Sequence, residues 1–430
     1  MTRDYRLLLG AFFVSTTGDW IYRLALPLFV LRQTGSAAAT AAIYAIEFVP
    51  YVLFSLFGGV AADRFDRRRL LVAGDLASAG LVGGMLAVVH FAPGERWLLY
   101  VAALGAASVR PFYHPAFQSF VPALVADRDL LRANAHLQTV ENLLAFGGPV
   151  AGGAVVAAFG IERSLAVDCL SFAVSAAAIA LIARRAVAEV ARRRGWRIGF
   201  ELGEAIAYLR RVRIMAWALV LVTGTNFAVF LVQANLFWYL VKAHDNGARG
   251  VGLVFGAEGA GAVVGAVLTT RLGRRLDAGR LTILGMACAT AGVSFLLVSG
   301  RLAIVAAAWS VVGVGDTIIV VTWFTLRQKI VPPELLGRVI AVQRATAFAA
   351  LPLGALAGAG IIGLTSNATL LVLVSAVLHA LLTLVALVTP LRTAGRGTVL
   401  AEATAGDFVS PVPATPPTGG VAAGAARPPA

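Results

Sequence analysis

The chain has 430 residues, 59% of them apolar and only 13% charged, with a mean hydropathy of +0.82. Water-soluble domains carry about 25% charged residues, so this composition excludes a soluble protein and places the chain in a lipid bilayer. The net charge of +14 does not indicate a nucleic-acid partner, because the basic residues stand in short clusters between apolar runs, as in the loops of membrane proteins.

A helix crosses a hydrocarbon core of about 30 Å with about 20 apolar residues. By that measure spans are predicted near 7–31, 38–61, 70–91, 97–118, 134–159 and 164–183. The first is a retained span and not a signal peptide, since its apolar run is too long and lacks a small-residue cleavage pattern. A basic stretch, 184–213, follows with Arg192, Arg193 and Arg194, then a helical pattern through Glu201, Glu204, Tyr208 and Arg211. Six further spans are predicted near 214–241, 250–270, 280–299, 302–323, 340–363 and 367–389. Beyond 390, Pro, Ala, Gly and Thr dominate, which predicts a disordered tail. Cys169 and Cys288 lie inside apolar runs and offer neither a disulfide framework nor a metal cluster.

Loop charge tests this count. With loops assigned alternately to two sides, 27 of the 36 Lys and Arg fall on the side of the N-terminus and six on the other, while Arg23, Arg110 and Arg344 lie within spans. The positive-inside rule then places both termini in the cytoplasm, in a multi-pass protein of the cell membrane. The halves also repeat. Asp19 pairs with Asn226 at an offset of 207, as do Gly58 with Gly265 and Arg67-Arg68 with Arg274-Arg275. An even number of spans per half gives both halves one orientation, so the expected fold is all-α with about twelve transmembrane helices in two parallel six-helix repeats. Residues 1–183 form the first bundle, 184–213 a cytoplasmic linker with a short helix, 214–389 the second bundle and 390–430 the tail. A binding site is expected between the bundles near mid-membrane.

The loop after the second span reads Gly59-Val-Ala-Ala-Asp63-Arg64-Phe65-Asp66-Arg67-Arg68-Arg69. It resembles the signature loop of the major facilitator superfamily at Gly59, Asp63, Arg64, Arg67 and Arg68, with Asp66 where that family usually has glycine. An Asx cap is the natural substitute in such a turn. In span five Gly148-Pro149-x-x-Gly152-Gly153 resembles the motif associated with antiporters in that superfamily. The run Arg327-Gln328-x-x-Val331-Pro332-x-x-x-x-Gly337-Arg338-Val339 resembles the branch of siderophore and macrolide exporters. Physically, the loop charges either anchor topology or form a network that exists in one arrangement of the halves and so biases a gate. The span-five glycines let helices approach closely, and its proline permits a bend.

Charges inside a bilayer cost at least about 2.5–3.5 kcal/mol each and need a reason. Asp19 and Glu47 lie at similar depth on adjacent spans, which suits a carboxyl that exchanges protons, although Arg23 one turn after Asp19 offers an ordinary intrahelical pair. Glu47 has no basic neighbour within a turn. Arg110 and Asp316 nearly coincide under the repeat. The resemblance places Asp19, Arg110, Asn226 and Asp316 in a central cavity, because spans one, four, seven and ten line it in that superfamily. Glu141 and Arg344 are assigned structural places near the cytoplasmic end, and Phe112, Tyr113, Trp238 and Tyr239 interfacial ones. His114 and His379 are solitary, so no metal site is expected. The role of Glu258, among glycines, is open.

The function expected is a secondary transporter that exports a small amphipathic molecule such as a drug, macrolide or siderophore, with protons as coupling ion and no cofactor. Nutrient uptake ranks lower because polar residues are sparse on the candidate cavity helices. A membrane enzyme is disfavoured by the absence of P-loop, H-E-x-x-H and G-x-S-x-G patterns, and a non-transporting sensor is the remaining alternative.

Overall fold

A computed structural model of the chain describes residues 2–126, 129–183, 198–244 and 246–394. The linker residues 184–197 and the tail from 395 lie outside the described residues. In chain order the helices are α1 (Arg3–Thr34), α2 (Ala37–Ile46), α3 (Val49–Arg64), α4 (Arg67–Phe91), α5 (Arg96–Leu124), α6 (Leu130–Ala180), α7 (Ile198–Arg211), α8 (Arg213–Gln233), α9 (Leu236–Trp238), α10 (Ala248–Leu272), α11 (Ala278–Phe295), α12 (Leu302–Ile330), α13 (Pro333–Thr365) and α14 (Ala368–Val388). A π-helical turn, Tyr239–Ala243, extends α9, and no strand occurs among the described residues.

By length and composition, nine stretches among the described residues are apolar enough to span a bilayer. Two of the remaining spans are α1 and α5, whose hydropathy is lowered by Asp19, Arg23 and Arg110. The last comes from α6, which is two helices. At 51 residues it would exceed any bilayer if straight. Gly160 breaks it with φ 76° and ψ 177°, a backbone state open to glycine. Ala133 and Ile179, near its opposite ends, accordingly share one apolar cluster with Tyr5. The chain therefore reverses at Gly160, between the fifth and sixth predicted spans.

Caps fix other turns. The Thr2 hydroxyl accepts from the Tyr5 amide at 3.2 Å and donates to the Leu124 carbonyl at 2.8 Å, tying the start of α1 to the end of α5. Gly35, at φ 64°, closes α1. Asp66 caps α4 by accepting from the Arg69 amide at 2.8 Å, so the Asx side chain does supply the turn where glycine is usual. Helix α7 packs on the second half, where Tyr208 donates to the Ile330 carbonyl at 2.9 Å. Burial pushes the Tyr208 phenol up to about 12, so it stays a donor at neutral pH.

The apolar cores show how the halves meet. At the end of the bundle away from the N-terminus, one cluster joins both halves, from Leu31, Ala41 and Leu99 to Phe237, Val251 and Leu371. At the N-terminal end each half has its own cluster, around Tyr5 and Phe117 in the first and around Tyr208 and Trp323 in the second. Aromatic rings reinforce the shared core. Phe48 meets Phe230 edge-on at 5.2 Å and Tyr51 meets Phe348 at 5.5 Å. Tyr44 packs against both Phe230 and Phe237. These rings close the far end of the cavity described next.

Candidate functional site

The second predicted span is two helices because of Pro50. Its ring and missing N–H cannot continue a helix past the Ile46 carbonyl, so α2 ends at Ile46 and α3 begins at Val49. Glu47 occupies the break and turns inward with 8% of its surface exposed. There it meets two arginines. Arg23 from α1 lies 3.2 Å from Glu47 Oε2, and Arg110 Nη1 from α5 lies 3.5 Å from the same oxygen. The other terminal nitrogen of Arg110 reaches Asp19 Oδ1 at 2.9 Å. The result is an alternating chain, Asp19–Arg110–Glu47–Arg23, with two charges of each sign. One planar guanidinium spans two carboxylates on different helices, which an ammonium could not do with the same geometry.

This chain forms part of the wall of a cavity of about 380 Å³. Apolar walls come from Phe12, Val82 and Phe172 of the first half, and α13 contributes Arg344 and Phe348 from the second. The volume and mixed lining suit a small organic ligand.

Several expectations change. Asp19 does not pair with Arg23 along α1; Arg110 from α5 takes Asp19 and leaves Arg23 to Glu47. Glu47, without a basic neighbour in sequence, has two in space. Asn226 donates instead to the Ala347 carbonyl at 3.3 Å, and neither it nor Asp316 lines this cavity. The pseudo-symmetry thus places equivalent helices but not equivalent chemistry, and the polar groups concentrate in the first half. Arg344 and Tyr113 line the cavity in place of the peripheral positions expected of them. Tyr239 is buried in the shared core and not at an interface.

Two acids escaped the sequence reading. Asp75 on α4, 1% exposed, accepts from Ser175 Oγ at 2.6 Å and from the Tyr113 hydroxyl at 3.4 Å, and it lines the cavity. Asp168 on α6 is fully enclosed; Oδ1 accepts from Ser171 at 3.3 Å and Oδ2 has no partner. The rule that a charge in an apolar run needs a reason would have found both. In the second half Glu258 accepts from Gln233 Nε2 at 3.2 Å and from the Trp309 indole at 3.0 Å.

In this arrangement two arginines of the loop motif bond to carbonyls of neighbouring helices. Arg67 donates to the Ser119 carbonyl at 2.9 Å, and Arg68 to the Ile179 and Ala180 carbonyls that end α6, where the helix dipole favours a cation. Gly59 lies within α3, and the side chains of Asp63 and Arg64 lie outside the described residues. Replacing Arg68 by alanine is expected to lower stability by about 1 kcal/mol through these lost bonds, read as an earlier thermal transition in detergent, while Arg69→Ala serves as the unaffected control. The span-five glycines face two ways. A Cβ on Gly148 would strike the Trp20 ring, whereas one on Gly153 would lie 2.8 Å from Gly252 Cα across the boundary between the halves.

Against known proteins, the model of the Major Facilitator Superfamily matches residues 8–355. Among curated relatives, the chain is 27% identical over 363 residues to the multidrug efflux pump Tap of Mycobacterium tuberculosis, covering 81% of this chain and 85% of that one. It is 22% identical over 351 residues to macrolide efflux protein A of Streptococcus pyogenes, covering 79% and 85%. Among solved structures, a bacterial homologue of the iron transporter ferroportin in its inward-facing state superposes with a TM-score of 0.69 at 18% identity, over 90% of this chain and 98% of that one. The nucleoside transporter NupG superposes at 0.72 with 11% identity, over 90% and 99%.

Proposed function

Because the chain belongs to the Major Facilitator Superfamily, we propose that this transporter exports small amphipathic molecules, driven by protons, through alternation of its two halves in the cell membrane. The observation that carries this reading is the cavity itself: a pocket walled by aromatic and aliphatic side chains, with a charge-balanced ion chain on its wall, closed at one end by rings from both halves. Such a lining suits an amphipathic guest better than a sugar, whose many hydroxyls would need polar partners. The similarity to a multidrug efflux pump and to a macrolide efflux protein supports it. Loop charge supports cytoplasmic termini, and the closed aromatic end would then face outward, with the cavity serving the cytoplasm. Asp19, Glu47 and Arg110 are the residues proposed to position substrate and to couple its passage to the halves. Asn226 and Asp316 are proposed to act only when the second half closes over the cavity.

Inverted membrane vesicles provide the test. With the lumen made acidic, so that protons leave it as they enter a cell expelling drug, ethidium or erythromycin should accumulate, and a protonophore should abolish the accumulation. Accumulation unaffected by the protonophore would remove proton coupling, and the absence of either probe from the lumen would remove amphipathic export.

A further inference from the structure

Three carboxyls line the cavity: Asp19, Glu47 and Asp75. Asp19 and Glu47 face guanidiniums at 2.9 and 3.2 Å. Arginine only donates hydrogen bonds and keeps its charge. Neutralising either acid would therefore leave a cation without its counter-charge where water is scarce, and breaking such pairs is costly.

Asp75 has different company. Its partners, Ser175 and Tyr113, are hydroxyls, which donate or accept as required. Both hydroxyls donate to the ionised carboxylate. When the acid is protonated, its own O–H donates to the Tyr113 oxygen, whose hydrogen then turns into the cavity that Tyr113 lines, while Ser175 keeps donating. The same three residues thus satisfy both protonation states without moving the backbone. Ser175 is fully buried, so its hydroxyl has no open water to turn to. The other titratable groups on the surrounding elements are Asp19 on α1, Glu47 between α2 and α3, and Asp168 and Cys169 on α6. The cavity cations Arg23, Arg110 and Arg344, and His114, form no ion pair with Asp75 among the described residues.

We propose that Asp75 carries the coupling proton, with Ser175 and Tyr113 as its positioning residues, and that the Asp19–Arg110–Glu47–Arg23 chain serves substrate and gating. The assignment rests on the proton-coupled reading above. On the side facing higher proton concentration the Asp75 carboxylate takes one proton from water; on the other side it returns that proton to water.

Proteoliposomes loaded with ethidium or erythromycin separate coupling from movement. In Asp75→Asn, uphill accumulation driven by a pH gradient is expected to fall by about tenfold or more, while gradient-free exchange of the probe falls far less. Ser175→Ala should displace the pH at which driven transport is half-maximal. If the unaltered protein shows no response to the gradient, the proton-coupled reading falls and the Asp75 assignment falls with it. If the unaltered protein responds and Asp75→Asn responds equally, the Asp75 assignment falls and the reading stands. Should Asp75→Asn lose exchange as well, Ser175→Ala decides: a displaced pH profile supports the assignment, and an unchanged one overturns it.

Discussion

Arg110→Gln is expected to abolish transport and to destabilise the protein by about 2–4 kcal/mol, somewhat below the cost of breaking a fully enclosed pair because the side chain retains 20% exposure. The loss does not come from one contact. Arg110 joins Asp19 on α1 to Glu47 at the α2–α3 break, so its removal leaves one carboxylate without any cation and the other with Arg23 alone. Glutamine fills similar space and can donate to one acid, yet it neutralises neither. Two companion variants separate charge from geometry. Arg110→Lys keeps the charge but loses the fork, and is expected to recover stability more fully than transport. The double variant Arg110→Gln with Asp19→Asn removes a matched pair and should restore much of the stability without restoring transport. A thermal-unfolding cycle over the unaltered protein, the single variants Arg110→Gln and Asp19→Asn, and the double variant measures the coupling, which neighbours in one network should show as clear non-additivity. Equal transitions in all four would mean that the ion chain contributes nothing to the folded state.

The sequence shows where such a network must lie more clearly than how it is wired. An ionisable residue in an apolar run is conspicuous because lipid penalises it, and this identifies Asp19, Glu47 and Arg110 without any structure. Their pairing is another matter. Helical periodicity reports neighbours on one helix, so it offers Arg23 to Asp19; the true partner of Asp19 sits 91 positions away on α5, where only the packing of α1 against α5 brings it. The site of Glu47 was legible in a different residue, since Pro50 three positions on forces the break that releases the carboxyl into the cavity. The internal repeat served well for topology and poorly for chemistry. It aligns Asp19 with Asn226 and Arg110 with Asp316, but neither second-half residue lines the cavity. The reversal at Gly160 is legible as the boundary between two apolar runs, and a glycine with positive φ is its physical cause.

Gly252→Leu is expected to reduce transport by more than tenfold through the equilibrium between the two arrangements of the halves, leaving the ion chain untouched. Helices α6 and α10 cross with their backbones in contact: a Cβ on Gly252 would lie 2.6 Å from the Pro149 carbonyl oxygen and 2.8 Å from Gly153 Cα. The obstruction continues along the crossing, where a Cβ on Gly256 would meet Val150 and one on Gly259 the Ala145 carbonyl at 2.4 Å. Pro149 removes the amide that would otherwise bind that carbonyl within α6, which leaves Ala145 O turned toward its neighbour. Backbone cannot yield as a flexible side chain can, so a leucine must push the halves apart at the closed end. Overpacking of this kind costs about 1–3 kcal/mol, and the upper figure moves a two-state population by roughly a hundredfold. The displacement has a direction, toward the arrangement open at the aromatic end. Tyr44→Cys, introduced after Cys169 and Cys288 are replaced by alanine, reports it through a membrane-impermeant thiol reagent applied from the outer side. Labelling should rise in Gly252→Leu relative to the parent, and Gly252→Ala should give an intermediate rise. Lost transport with labelling unchanged would show that this crossing holds the fold together without taking part in alternation.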